Sequence, residues 1–135
     1  MRTLLAILAS TSLVFSQSAA EWKKKGDSLD ASGKTKDALA AYENALKKDP
    51  DNAAVLVKIA KQYGDMMPSL AGGAKKEAAR KSLEYSRKAV VADPESSDSH
   101  LAVALSLGKN TEFMGNKEKL QASREIKAEA DTALP

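Results

Sequence analysis

From Trp22 to Leu29, and again from Ala38 to Leu46, apolar residues recur at intervals of three and four. That spacing puts them on one stripe of an α-helix. Between the two runs, Gly33-Lys34-Thr35 breaks the pattern, and Thr35 is expected to cap the second helix. After the second run, Pro50 stops it. The two stripes are each one-sided, so neither helix buries its apolar face alone. An antiparallel pair is the expected result.

The dipeptide Asp49-Pro50 returns as Asp93-Pro94, each time after an alanine-rich helical run. Leu56, Ile59, Ala60 and Tyr63 take the first-helix positions of Trp22, Lys25, Gly26 and Leu29, and His100, Val103, Ala104 and Leu107 take them a third time. The division is therefore an N-terminal segment 1–20 and one helical domain 21–135, with repeats at about 21–52, 53–96 and 97–135. Repeats two and three carry additional residues, 64–73 and 108–116, which read as loops punctuated by Gly and Pro. Leu70 and Met114 correspond in the two loops and are expected to fold back on neighbouring helices or to form a partner-binding lip. Long second helices follow, over about 74–92 and 117–134.

Trp22, Gly26, Leu29, Gly33, Ala38, Tyr42, Ala45 and Pro50 stand at the spacing of the tetratricopeptide repeat. Residues 19–52 resemble one such unit, with Lys25 where the family prefers leucine. The resemblance implies an all-α, TPR-like α-solenoid of about three antiparallel helical hairpins. Over residues 50–135 the chain is similar to the regulator of microtubule dynamics proteins. This likeness rests on Ala78-Ala79-Arg80-Lys81-Ser82-Leu83-Glu84-Tyr85-Ser86-Arg87-Lys88-Ala89, on Ser99-His100-Leu101-Ala102 and on Gly115-Asn116-Lys117-Glu118-Lys119. It implies a helical-repeat protein without catalysis, some of whose eukaryotic relatives are linked to microtubules and organelle membranes. Some tetratricopeptide proteins clamp a peptide carboxylate with basic and amide side chains on the first helices. Lys23 fits that clamp, but Asp27 and Asp98 oppose it.

At the amino terminus, Arg2 precedes an uncharged apolar run over 4–15, and Ser18-Ala19-Ala20 follows. This is the three-part build of a secretory signal, with a cut expected after Ala20. The run is too short to span a bilayer. The expected location is therefore the periplasm or the exterior. An anchored or cytoplasmic protein working with microtubules is the alternative.

Composition narrows the chemistry. With no cysteine there is no disulfide, thiolate metal site or cysteine nucleophile, and one histidine makes a multi-histidine site impossible. His100, recruiting Glu95 and Asp98, would lack a second nitrogen ligand, so packing in a helix-face position is its expected role. No metal or cofactor is expected, nor an enzyme. The chain has 21 Lys and Arg against 18 Asp and Glu, and a net charge of +3 is too even for a nucleic-acid binder. Alanine makes up 24 of 135 residues, which favours helix.

The expected partner is a protein or peptide. By helical phase, Lys23, Asp27, Val57, Lys61, Leu101 and Leu105 should line the concave face, which grows apolar towards the third repeat. Leu101 and Leu105, four apart, are the expected seat of an apolar helix or extended peptide. A possible basic patch comprises Lys76, Arg80 and Arg87, against which Glu77 and Glu84 form i, i+4 pairs with Lys81 and Lys88. The chain stops before a third Asp-Pro arrives. Its last helix would offer Leu120, Ile126, Ala130, Ala133 and Leu134 as an open edge for self-association.

Overall fold

The computed structural model describes residues 16–135, so the apolar run over 4–15 lies outside the described residues. Six α-helices follow in order: α1 Ala19–Ala31, α2 Thr35–Lys48, α3 Ala53–Met66, α4 Gly72–Ala92, α5 Ser97–Asn110 and α6 Asn116–Ala133. There is no strand among the described residues. Each helix packs on the next, and α3 also touches α5. The architecture is a layered array of helical hairpins.

Three side chains start the first helix of each hairpin. Ser18, Asn52 and Ser96 accept from the backbone N–H of Glu21, Val55 and Ser99 at 3.2, 3.1 and 3.2 Å. Each satisfies an N–H that the helix itself leaves without a partner. Ser18 lies upstream of the expected cut after Ala20, so cleavage there would remove the cap of α1. At its other end, α1 closes through Gly33 with φ +72°, while the Lys34 N–H reaches the Leu29 carbonyl at 2.9 Å. Glycine accepts that left-handed turn without steric cost. Thr35 does not cap α2: Lys34 occupies the cap position without a side-chain bond, and Thr35 is already helical.

Ala38, Tyr42, Ala45, Val55 and Ile59 form the main core, flanked by Trp22, Leu29, Leu46, Tyr63 and Tyr85. Gly26 makes the first hairpin close. A Cβ there would stand 2.5 Å from Tyr42 Cε1, so the fully buried tyrosine ring lies directly on the α1 backbone. The second hairpin replaces this fit by another. Opposite Ala60, α4 presents Ser82, whose hydroxyl donates to the Ala60 carbonyl at 2.9 Å and contacts Ser106 Oγ at 2.8 Å. One buried hydroxyl thus pins α3, α4 and α5 together.

The segments expected as long loops are mostly helix. α3 continues through Gly64 to Met66, a 3₁₀ turn covers Met67–Ser69, and α4 begins at Gly72 and extends for 21 residues against 14 in α2. The additional residues of the third repeat are likewise absorbed by α5, the 3₁₀ turn Thr111–Phe113 and an 18-residue α6. Leu70 and Phe113 pack against the small cluster of Met67, Ala78 and Ala79. Met114 is half-buried.

The last helix also departs from the expected edge. Ala122 is buried, and Ile126, Ala130 and Ala133 are partly covered. Leu120 is on the opposite face, at helical phase with Arg124, Lys127, Asp131 and Leu134, all exposed. The outer surface of α6 therefore carries the charged Arg124, Lys127 and Asp131. α6 buries one residue fully, as α1 does, against six in α3. The α6 amides at 120–132 should exchange at least tenfold faster than those at 55–63 in a hydrogen-exchange experiment on the monomer. Equal protection would contradict this ranking.

Candidate peptide-binding groove

α3 and α5 run side by side and leave a cavity of about 430 Å³ between them. Val57, Ala60, Leu101, Ala102 and Leu105 form its apolar surface, and Lys58, Lys61, Lys109, Asp65 and Asp98 its rim. Leu101 and Leu105, one turn apart on α5, are 46% and 58% exposed and together form an open apolar surface. At the floor stand Ser82 and Ser106, already bonded to each other.

Four of the six expected residues, Val57, Lys61, Leu101 and Leu105, meet in this cavity. Lys23 and Asp27 do not line it. They bond each other at 2.9 Å, and Asp27 also accepts from the Tyr42 hydroxyl at 2.7 Å. Burial opposes the Asp27 charge, but Lys23, Tyr42 and Lys58 outweigh it and hold the carboxyl below its usual range. The same contact, with burial leading, pushes the Tyr42 phenol up. Asp27 therefore acts as a brace between α1, α2 and α3.

Lys61 belongs to both the groove and the frame. Its ammonium bonds Asp30 on α1 at 2.9 Å and Asp65 on α3 at 2.7 Å. Although burial works against its charge, the two carboxylates raise its pKa. This bridge ties the first and second hairpins along the groove. The rim residues Lys58, Asp65 and Lys109 are additions of the three-dimensional arrangement. Lys109 lies across α3 because Gly64 leaves room: a Cβ there would be 2.8 Å from Lys109 Cε. Among the described residues, Lys109 and Asp98 form no ion pair within the chain. Each is free to meet a partner.

The basic residues of α4 lie elsewhere. Lys76, Arg80 and Arg87 share a second cavity, of about 530 Å³, between α4 and α6. Arg80 reaches Glu77 at 2.7 Å and Glu84 at 2.9 Å, and Arg87 reaches Glu125 at 2.7 Å. Two of the three cations are thus neutralised within the chain. Glu77 pairs with Arg80 and not with Lys81, whose ammonium sits over the Tyr63 ring at 5.3 Å. A third hollow, of about 940 Å³, lies between the ends of α2 and α4, where Leu46, Pro50, Leu56 and Val91 line it. Among the described residues there is no group of three His, Asp or Glu placed to hold a metal ion, and no helix long and apolar enough to cross a membrane.

Comparison with known proteins agrees with this geometry at the level of fold and family. The family model described as regulator of microtubule dynamics protein 1-3 matches residues 22–135. Among solved structures, the Sgt2 TPR domain from Aspergillus fumigatus superposes with a TM-score of 0.60 at 19% identity. The alignment covers 85% of this chain and 76% of that domain. No curated protein sequence matches the chain.

Proposed function

Since the chain belongs to the regulator of microtubule dynamics protein 1-3 family, we propose that it is a non-catalytic scaffold that holds an apolar peptide segment of a partner protein between α3 and α5. The observation that carries this reading is the exposed pair Leu101 and Leu105 facing Val57 across an open cavity. The apolar surface supplies the affinity of such a contact. The rim carries both signs, so it selects against grossly mischarged partners more than it attracts one charge. A peptide that leaves two apolar side chains between the helices, helical or extended, meets these demands.

Selection of displayed peptides on the immobilised chain tests the proposal. Peptides rich in Leu, Ile, Phe or Met should be enriched and should compete with one another for one site. Failure to enrich any sequence, or binding that persists equally on heat-unfolded chain, would contradict it.

The apolar run over 4–15 with Ser18-Ala19-Ala20 supports export and cleavage after Ala20. The family name supports a second reading, an adaptor that acts on microtubules from the cytosol or an anchored position. Mass spectrometry of the mature amino terminus separates them. A chain beginning at Glu21 is the expected product. An intact amino terminus would favour the adaptor.

A further inference from the structure

His100 is the sole imidazole of the sequence. It fills a first-helix position held elsewhere by Trp22 and Leu56, yet its ring does not pack as an apolar residue would. Its Nδ1 is 2.5 Å from Glu129 Oε2 on α6, and its Nε2 is 2.6 Å from the Pro94 carbonyl in the turn before α5. The two side chains are 12% and 21% exposed. Both neighbours of the ring are acceptors. A neutral imidazole has one N–H and one lone pair, so it can satisfy only one of them. The doubly protonated ring satisfies both.

We propose that His100 is a pH-sensitive latch: as imidazolium it joins α5, the Asp93-Pro94 turn and α6, and loss of its proton to solvent releases α6. Apart from this contact, α6 is held on α5 by partly covered Ile126, Ala130 and Ala133. Ala122 is its one fully buried residue, and Arg87–Glu125 is an exposed pair, a class of contact that contributes little. Behind α6 lies the cavity it shares with α4, whose surface includes Leu83, Leu107, Phe113 and Met114. Opening of α6 exposes these side chains, so the latch controls access to an apolar surface separate from the α3–α5 groove.

The charged groups acting on the ring are Glu129 from α6 and Glu95 from the turn, and both favour the cation. The hydrogen bond to Glu129 and then that to Pro94 raise the pKa above its ordinary 6.5, against a smaller penalty from burial. A histidine with a raised folded-state pKa stabilises the structure fully below the unfolded value. That contribution fades as pH rises through the folded value. The latch is therefore closed below pH 6.5 and opens on the alkaline side.

Because the chain has one histidine, a single ring titration can be followed by NMR alongside the α6 amides. The ring should titrate above 6.5, and α6 protection factors, corrected for intrinsic exchange, should fall about tenfold across the same midpoint, the scale of one charge-assisted contact. Protection at 55–63 should stay level. In Glu129→Gln the ring midpoint should drop, and in His100→Gln the pH dependence of α6 should disappear. Should His100→Gln fail to fold, the wild-type titration still decides. α6 protection that ignores the ring midpoint, or a pH dependence that survives in His100→Gln, would overturn the latch.

Discussion

Replacing Tyr42 by alanine is expected to destabilise the chain by about 3–5 kcal/mol, the range for removing a large buried aromatic side chain. A domain of this size has only about 5–15 kcal/mol of stability to lose. Three effects act together. The ring is fully buried in the main core, its removal opens space over the α1 backbone at Gly26, and Asp27 loses the hydroxyl that donates to it at 2.7 Å. The companion substitution Gly26→Ala reads the same contact from the other side. In the wild-type background its Cβ would stand 2.5 Å from the ring, and overpacking of this kind costs about 1–3 kcal/mol. With Tyr42 already alanine, the clash is gone, and alanine gains about 1 kcal/mol of helix propensity over glycine. The sign of Gly26→Ala should therefore reverse between backgrounds. Urea unfolding of the four proteins measures this directly. Additive effects would show that the ring does not depend on the glycine.

That contact also marks what the sequence could and could not disclose. Trp22, Gly26, Leu29, Ala38, Tyr42 and Ala45 declare the first hairpin because their spacing is local and one glycine at close approach has few substitutes. In the second hairpin, punctuation misleads. Gly64 and Pro68 suggest a loop, but Gly64 serves to admit the Lys109 side chain and Pro68 lies early in a 3₁₀ turn, where its missing N–H costs nothing. Helical phase places Val57, Lys61, Leu101 and Leu105 together, because it depends only on which stripe faces the neighbouring hairpin. It does not locate the partners of Lys61. Asp65 is one turn away and local, whereas Asp30 comes from another hairpin and is brought near by the docking angle of α1 and α3. Leu120 shows the opposite limit. An apolar residue in the last helix invites assignment to the inner stripe, but its phase relative to Ala122 puts it outside. His100 is only half legible: Pro94 is six residues upstream in the turn before α5, whereas Glu129 is brought to it from α6 by a tertiary contact.

Leu105→Glu should weaken binding of a groove-selected peptide by about 30-fold or more, equivalent to the 2 kcal/mol or greater loss typical of a central interface residue. The argument is one of exposure. At 58% exposed, Leu105 contributes little to the folded chain, so a charge there leaves the core unchanged. In the bound state the same position is covered, and a carboxylate placed among Val57, Leu101 and Ala102 must lose its water without a partner. Unfolding midpoints of wild type and Leu105→Glu should agree closely, within about 0.5 kcal/mol, as expected for a surface substitution. Arg124→Glu, on the outer face of α6, serves as the control and should leave peptide affinity unchanged. Equal binding by wild type and Leu105→Glu would remove the groove from the account, whatever the fold.

The hollows between α4 and α6 and between the ends of α2 and α4 offer alternative seats, and Val91, 81% exposed beside Leu46 and Leu56, is the most open apolar side chain in them. Photo-crosslinking with the selected peptide therefore tests the central claim most directly. A photoreactive residue at position 57, 105, 91 or 134 is placed singly in the chain, and peptide adducts are mapped by mass spectrometry. Adducts from 57 and 105, with none from 91 or 134, are the predicted result. Adducts from 91 in the absence of any from 57 or 105 would contradict the assignment of function to the α3–α5 groove.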